Sequence, residues 1–348
     1  MFSIPVVSQS FQSVNQVLSS LSNRITHRAA VAPMMDYTDR FFRYLMRLIS
    51  RHRLRYTEMI HCAALINGDR DRLLEYDPSE HPLALQLGGN NPDELAACTR
   101  MAADWGYDQV NLNLGCPSER VQSGRFGACL MAEPELVADC LRAMIGVGDL
   151  PVTVKTRIGI DHQDSYPELT HFVATLAEAG CRTFIIHARK AWLQGLSPRE
   201  NREIPPLKYD VVYRLKQDFP HLEIWINGGI RSLEEAASHL RHVDGFMIGR
   251  AAYEDPWLFS QVDSQFYHWR GVPMTRFAVL ADYLVFLERE RQRGTPLHLM
   301  TKHLITLFYG QPGAREWRRF LSDISQRQDI GPERILKAAE NLRRVDTC

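Results

Sequence analysis

The chain has 348 residues, of which 45% are hydrophobic and 24% are charged, and its formal net charge is zero. This is the composition of a soluble globular protein, with room for one barrel of about 250 residues and a smaller appended unit. No apolar run reaches the roughly 18 residues that a membrane-spanning helix needs, so we expect no membrane partner. The seven cysteines form no CxxC pair and no zinc-ligand spacing, which favours reduced thiols, a cytoplasmic location and no metal site.

The charges are distributed unevenly along the chain. The region from Asp263 to the end has 14 lysines and arginines against 10 acidic residues, so the remainder has 27 against 31. A basic C-terminal region on a slightly acidic body indicates where a polyanion could dock. Charge alone fits a solvated helical surface equally well.

Residues 1–27 are expected to form a flexible extension. The first 35 residues contain no acidic side chain, and seven of the first 22 are serine. This composition also fits an organellar transit peptide, which stays open as the alternative.

Short runs rich in β-branched and apolar residues recur eight times. Near-continuous apolar character is typical of parallel strands that are covered on both faces. The eight predicted strands are Ala29–Met35, Leu54–Ile60, Leu83–Gly88, Gln109–Leu114, Val152–Arg157, Thr183–Ala188, Glu223–Gly228 and Gly245–Gly249.

Helix signals separate most of these strands. Asn91 to Glu94 supplies an N-cap, a proline in the first helical position and a glutamate at N3, and Ser232 to Glu235 predicts a capping box. Gly180 ends another helix before the sixth strand. The alternation predicts an α/β fold of the (β/α)8 TIM-barrel type over residues 28–262, with a doubly wound open sheet as the alternative.

Strand signals stop after Pro256. Residues 277–290, 297–309, 315–325 and 333–345 have helical patterns, separated by glycine and proline. We therefore expect an all-helical C-terminal domain over residues 263–348.

Unusual polar residues stand at the carboxyl ends of the predicted strands, where barrels of this kind carry their functional groups. Asn227-Gly228-Gly229 and Gly249-Arg250 follow strands seven and eight. Glycine lets backbone N–H groups approach an anion and arginine adds a bidentate contact, so these two ends predict a phosphate site.

Lys155, in the fifth strand, is costly to bury without an anionic partner. The partner could be Glu58, in an ion pair, or a bound anion. Gln86 can offer a donor and an acceptor to a ligand edge, and His187 is either a packed histidine or a ligand contact.

Cys116 directly follows the fourth strand, in Gly-Cys-Pro. A thiol with an ordinary pKa of about 8.5 is protonated at neutral pH and can act as a general acid. A single cysteine can equally be a small buried apolar residue. The loop position and the neighbouring Asn113 favour catalysis.

Several of these segments resemble those of the tRNA-dihydrouridine synthases. The segments are Val31–Asp39, Gln86–Gly89, Asn111–Ser118, Val154–Ile160 and His187–Lys190, and their order and spacing hold over about residues 28–345. Within that family, Ala188–Pro206 resembles the bacterial A-type enzymes, which act on the D-loop uridines at tRNA positions 20 and 20a.

The resemblance implies that NADPH reduces a bound FMN, which in turn reduces the C5=C6 bond of a flipped-out uridine while Cys116 donates a proton. It implies an FMN site formed by Pro33, Met34, Met35, Gln86, Lys155, His187, Asn227, Gly228, Gly229, Gly249 and Arg250. It implies tRNA contacts from Asn113, Arg199, Arg202, Arg315 and Arg318.

Arg315 and Arg318 are three residues apart and should share one face of a helix, while Trp317 and Phe320 pack on a neighbouring face. A flavin barrel that acts on a small pyrimidine, or a tRNA-binding protein with a relic barrel, are the competing interpretations. We expect a monomer that binds NADPH and tRNA.

Overall fold

The computed structural model describes residues 28–272, 274–324 and 331–345. The extension predicted for residues 1–27 lies outside them. Within the described ranges, every helix is too short or too polar to cross a bilayer.

Eight parallel strands form the centre of the fold, in the order β1-β8-β7-β6-β5-β4-β3-β2. A further parallel bridge between Ala30 and Leu54 joins the two ends of this order, so the sheet closes into a barrel. The predicted (β/α)8 barrel is thereby confirmed and the open sheet is wrong. The strands are β1 Ala29–Val31, β2 Arg55–His61, β3 Leu83–Gly88, β4 Gln109–Leu114, β5 Val152–Arg157, β6 Thr183–His187, β7 Glu223–Asn227 and β8 Gly245–Ile248.

Helices follow the strands and cover the barrel from outside. The α-helices up to the end of the barrel are Arg40–Ile49, Cys62–Asn67, Arg70–Leu74, Pro92–Trp105, Glu119–Ser123, Pro134–Ile145, Tyr166–Glu178, Tyr209–Asp218, Leu233–His239, Arg250–Glu254 and Val262–Phe266. Short 3-10 turns lie at Pro78–Glu80, Gly127–Ala132, Glu200–Arg202 and Pro256–Gln261.

The predicted caps form with one difference. Asn91 accepts hydrogen bonds from the amides of Asp93 and Glu94, as its spacing predicts. Ser232 accepts from the amide of Glu235, but the Glu235 carboxylate accepts from the amide of Arg231 instead of Ser232. The capping box is therefore only half formed, because the carboxylate reaches one residue further back.

Small and large apolar side chains fill the barrel interior in alternation. They form a separate cluster of buried residues: Ala30, Ala32, Leu54, Tyr56, Ala84, Ile185, Trp225 and Met247. The larger core lies between the outer faces of the strands and the surrounding helices. The barrel is thus packed below its mouth, and space for chemistry remains only at the carboxyl ends of the strands.

The C-terminal region is helical, as predicted. Its α-helices are Arg276–Gln292, Leu297–Thr301, Ala314–Ile324 and Pro332–Val345. The single helix predicted over 297–309 is wrong, since it breaks after Thr301 into a 3-10 turn at Lys302–Leu304.

Side chains take the carbonyls that this broken helix would have used. The Leu304 carbonyl accepts from the Trp317 indole N–H at 2.8 Å, and the Leu307 carbonyl accepts from Arg276 Nε at 3.0 Å. These tertiary bonds compensate for the lost helical bonds, so the local pattern does not decide the structure.

The helical region packs on the first barrel helix through a surface that we call the docking interface. The rings of Tyr44 and Phe286 stack with centroids 3.9 Å apart, and Arg40 pairs with Glu290. Asp39 pairs with both Lys302 and His303 at 2.8 Å. The docking interface therefore fixes the helical region beside the β1 loop; a domain boundary at residue 263 stays a prediction.

Candidate active site

The side chains predicted at the ends of β3 and β4 form one hydrogen-bonded chain across the barrel. Asn113 Nδ2 donates to Gln86 Oε1 at 2.8 Å, and Gln86 Nε2 donates to Asn111 Oδ1 at 2.8 Å. Asn111 Nδ2 continues the chain to Thr153 Oγ1 at 2.9 Å. Because the side chains of Gln86 and Asn111 are buried and bonded, their amide orientations are fixed before any ligand arrives.

Asn113 also sets the loop that carries Cys116. Its Oδ1 accepts from the amides of Gly115 and Cys116 at 3.1 and 3.0 Å. The Cys116 thiol is half-buried and lies 3.5 Å from the Ser118 hydroxyl. The predicted tRNA contact by Asn113 stays a prediction, since its side chain is only 9% exposed and its amide bonds are internal.

Arg157 is a site residue that the sequence analysis did not single out. Its guanidinium is buried and donates to the carbonyls of Gly115, Lys190 and Asn201 at 2.8, 3.1 and 3.0 Å. From the end of β5 it therefore holds together the loops that follow β4 and β6. The two-residue period of a strand, which puts Arg157 on the same face as Lys155, was the available signal.

The Lys155 side chain lies at the mouth and has no carboxylate partner among the described residues. Glu58 instead accepts from the Asp36 backbone N–H, and Lys155 makes no ion pair or hydrogen bond with a described residue. Burial, followed by the Arg157 charge, lowers the pKa of Lys155 to about 7, against a smaller opposing effect of Cys116. The proposed ion pair with Glu58 is thus wrong, and a bound anion would restore the ordinary charge of Lys155.

His187 is buried and its ring makes no hydrogen bond with a described residue. Burial and the surrounding cations, Arg157 first among them, push the pKa of His187 well below its usual range. The ring is therefore neutral at physiological pH, with a nitrogen free to accept or donate to a ligand.

Glycines after β7 leave room that a side chain would fill. A Cβ on Gly228 would lie 2.5 Å from the His187 ring, and a Cβ on Gly229 would lie 2.7 Å from the Tyr209 hydroxyl. Both glycines have positive φ, at +109° and +77°. Their N–H groups donate to no described residue, so they remain available to an anion.

The ends of β8 and β1 meet at Gly249. A Cβ there would make only ordinary contacts with Ala32 and Met34, at 3.6 and 3.8 Å. Pro33 and Met34 are half-buried beside it, and Met35 is 53% exposed. No contact with a described residue requires glycine at this point, which leaves open space at the mouth.

Two predicted phosphate ligands already have protein partners. Asn227 Nδ2 donates to the Met247 carbonyl at 2.7 Å. Arg250 pairs with Glu203 at 2.6 Å and donates to the Arg202 carbonyl at 3.2 Å, with its side chain 38% exposed. Arg250 can turn toward an anion only by leaving Glu203, whereas the glycine amides need no rearrangement.

The mouth as a whole carries an excess of positive charge. Burial lowers the pKa of Arg157 to about 10, and burial followed by the Arg250 charge lowers that of Arg202. Cations this close disfavour each other's charged form, and a bound anion would offset that repulsion. The site therefore favours an anionic ligand.

The predicted tRNA contacts lie in two separate places. Arg199 is exposed beside the mouth and pairs loosely with Glu203 at 3.6 Å. Arg315 and Arg318 are exposed on the helix Ala314–Ile324, and Trp317 between them is 2% exposed. The predicted outward arginines and buried tryptophan are confirmed, and the tRNA role of the arginines stays a prediction.

No group of three histidine, cysteine or acidic side chains in the described parts of the chain is arranged to hold a metal ion. The chemistry of the mouth consists of one thiol, one lysine, a neutral imidazole, amides and arginines.

Comparison with known proteins identifies the family. The sequence model of the dihydrouridine synthase family, abbreviated Dus, matches residues 30–343. The chain is 56% identical over 311 residues to the tRNA-dihydrouridine(20/20a) synthase of Synechocystis sp., covering 89% of this chain and 93% of the relative. It is 56% identical over 321 residues to the enzyme of that name from Shewanella oneidensis, covering 92% and 96%.

The enzyme of the same name from Escherichia coli K12 is 54% identical over 316 residues, covering 90% of this chain and 91% of the relative. These matches include both the barrel and most of the helical region. The chain therefore belongs to the dihydrouridine synthase family.

Proposed function

We propose that this protein reduces uridine to 5,6-dihydrouridine at positions 20 and 20a of the tRNA D-loop, with FMN as cofactor and NADPH as electron donor. The observation that carries the proposal is the position of the Cys116 loop beside Lys155, a buried lysine without a carboxylate partner. The three relatives, each a tRNA-dihydrouridine(20/20a) synthase by name, support the substrate and the positions.

The residues at the mouth fit FMN. The free amides of Gly228 and Gly229 suit the phosphate, with Arg250 beside them. Lys155, His187 and the remaining hydrogen-bonding capacity of Gln86 suit the polar edge of the ring, while Pro33, Met34 and Met35 border it from β1. FMN, when bound, supplies the two reducing equivalents that it takes from NADPH.

The protein supplies the proton and the orientation. Two hydrogen bonds hold the Cys116 loop in place. Asn113 Oδ1 accepts from the Cys116 amide, and Arg157 donates to the Gly115 carbonyl. The Cys116 thiol gives its proton to C5 of the uracil, and a proton from solvent restores the thiol. The neutral His187 and Lys155 place an imidazole and a cation at the ring region.

The uracil must leave its stack to reach a site at the bottom of the mouth. In this proposal residues 263–348 hold the tRNA, with Arg315 and Arg318 on one side and Arg199 and Arg202 on the other. Residues 28–262 carry the chemistry. We place the reaction in the cytoplasm, by a monomer.

The test uses the purified full-length protein with FMN, NADPH and an unmodified tRNA transcript. We expect dihydrouridine at positions 20 and 20a, located by mass spectrometry of nuclease fragments. Free uridine and orotate serve as controls, because neither reaches the helical region. Reduction of a free pyrimidine at the rate seen with tRNA, or no product from tRNA, would overturn the proposal.

A further inference from the structure

A small cavity opens on the helical region, outside the mouth. It has a volume of about 260 Å³. It is lined by Ile305, Thr306, Tyr309, Gly310, Ala314 and Arg318. Pockets for whole cofactors or drug-sized ligands measure roughly 300–1,000 Å³, so this cavity suits one planar ring better than a complete nucleotide cofactor.

Tyr309 gives the cavity an open aromatic wall. Its side chain is 55% exposed, and its hydroxyl makes no hydrogen bond with a described residue. Tyr283, in the same region, is buried and donates to the Met300 carbonyl at 3.0 Å. Packing therefore accounts for the tyrosine at position 283, whereas no contact with a described residue accounts for the aromatic ring at position 309.

The cations beside the cavity are also without partners. Arg315, Arg318 and Arg319 are exposed, and none of them makes an ion pair with a described residue. Arg291, on the helix Arg276–Gln292, and Arg293, directly after it, both pair with glutamates at 3.0 Å or less. An aromatic face next to unneutralised arginines has the chemistry that proteins use for a single-stranded nucleic acid.

Contacts connect the cavity to the rim of the mouth. Thr306, in its wall, donates to the Tyr253 carbonyl at 2.9 Å. The Tyr253 ring in turn lies 4.4 Å, centroid to centroid, from Tyr37, which is 45% exposed in the β1 loop. The cavity therefore lies beside the β1 loop, on the side of the molecule where a nucleic acid enters the mouth.

We propose that this cavity binds one unpaired base of the tRNA loop, stacked on the Tyr309 ring, with the adjoining phosphate on Arg318. The inference rests on the proposed function. It assigns to the helical region a base contact in addition to phosphate contacts. A second unstacked nucleotide would then be fixed while the target uridine occupies the barrel.

The experiment compares Tyr309→Ala with wild type, using unmodified tRNA transcript at saturating NADPH. We expect Km for tRNA to rise about tenfold with little change in kcat, because base stacking on an aromatic side chain is lost. Tyr309→Trp should keep the wild-type Km, since it retains an aromatic face. Val285→Ala, at an exposed position on the helix Arg276–Gln292, is the matched surface control.

A second readout identifies the base. Transcripts carry 2-aminopurine at one unpaired D-loop position at a time, and the base that stacks should lose fluorescence on wild type but not on Tyr309→Ala. FMN content and NADPH oxidation by oxygen should match in all variants.

An unchanged Km in an active Tyr309→Ala variant would overturn the inference and leave the proposed function intact. A sedimentation change in Tyr309→Ala with unchanged Km would overturn it in favour of a contact between two copies of the chain. Failure of the wild type to make dihydrouridine would overturn the proposed function itself.

Discussion

Charged side chains behave differently at the docking interface and at the mouth of the barrel. At the docking interface each cation meets a carboxylate: Arg40 pairs with Glu290 and Lys302 pairs with Asp39, which also hydrogen-bonds the His303 ring. Although burial alone would raise it, these two partners lower the pKa of Asp39 to about 2. At the mouth, Lys155 and Arg157 have no carboxylate partner within the described residues.

The difference separates two uses of charge. A paired charge in a protein interface has its desolvation cost offset within the protein, so it fixes geometry. A buried cation without a carboxylate leaves part of that cost for a ligand to offset, so it marks a binding site. Variants in the two places should therefore change different measurements.

The largest effect is expected at the mouth from Cys116→Ala. Loss of a general acid costs about 10²- to 10⁴-fold in rate, so uridine reduction in tRNA should fall by at least about a hundredfold. Reduction of bound FMN by NADPH should continue, because the Cys116 loop is separate from Gly228 and Gly229, the proposed phosphate ligands. Rapid-mixing measurements of the two half-reactions separate these steps.

Cys129→Ala, which changes a half-buried cysteine beyond the loop, is the control. If Cys116→Ala reduced uridine in tRNA at the wild-type rate, the thiol would have no part in the mechanism.

At the docking interface, Glu290→Ala should lower the free energy of unfolding by roughly 2 kcal/mol, because it removes the buried one of the two carboxylates, Glu290 and Glu75, that pair with Arg40. The side chain of Glu290 is fully buried, whereas that of Glu288 is 31% exposed and pairs only along its own helix. Glu288→Ala should therefore cost less than about 0.5 kcal/mol. Urea denaturation measures both. Equal losses in the two variants would mean that the interface pair adds nothing specific.

The lowered pKa of Lys155 predicts how cofactor binding depends on pH. Its pKa is about 7 in the protein without a ligand, and a bound anion raises that pKa, so binding takes up a proton above pH 7. FMN affinity should fall as pH rises from 7 to 9, by at most about tenfold per unit for one proton. Lys155→Met should bind FMN more weakly at pH 7 and show a flatter profile, while Lys337→Met should keep the wild-type profile. Flavin fluorescence titrations give the values, and parallel profiles for Lys155→Met and wild type would place the cation elsewhere.

The smallest effect is expected from Arg315→Ala combined with Arg318→Ala. Each lost phosphate contact should reduce the slope of log affinity for tRNA against log salt by roughly 0.7 to 0.9. FMN content and NADPH oxidation by oxygen should stay at wild-type values, because these arginines lie outside the mouth. Filter binding at several salt concentrations measures the slope. Identical slopes for the double variant and wild type would rule out a tRNA contact at Arg315 and Arg318.

Strands could be predicted closely because apolar runs and strand ends are local properties. Leu83–Gly88 and Gln109–Leu114 have their predicted bounds, and the first strand ends at Val31 instead of Met35. The residues after Val31 have the apolar pattern of a strand, but the backbone turns at Asp36, which has a φ of +68°. Apolar character alone does not separate a strand from a buried loop that borders a site.

Partners at long range could not be predicted. Arg157 looks like an ordinary strand residue until the loops after β4 and β6 fold against it, and His303 looks like a helix residue until Asp39 accepts from it. The alternative in which Lys155 pairs with Glu58 is wrong for the same reason, since the carboxylate accepts from a backbone amide of the β1 loop. Each of these outcomes depends on tertiary contacts that no local pattern encodes.

Arg157 has a consequence for engineering the specificity of this barrel. TIM barrels are commonly redesigned by exchanging one loop at a time, on the premise that the loops are independent modules. Here one buried guanidinium binds the carbonyls of Gly115, Lys190 and Asn201 at once. A loop transplanted from another barrel without a carbonyl at the same place would leave that guanidinium with an unmet donor and loosen the remaining native loop. The practical unit of exchange is therefore the two loops after β4 and β6 together with Arg157.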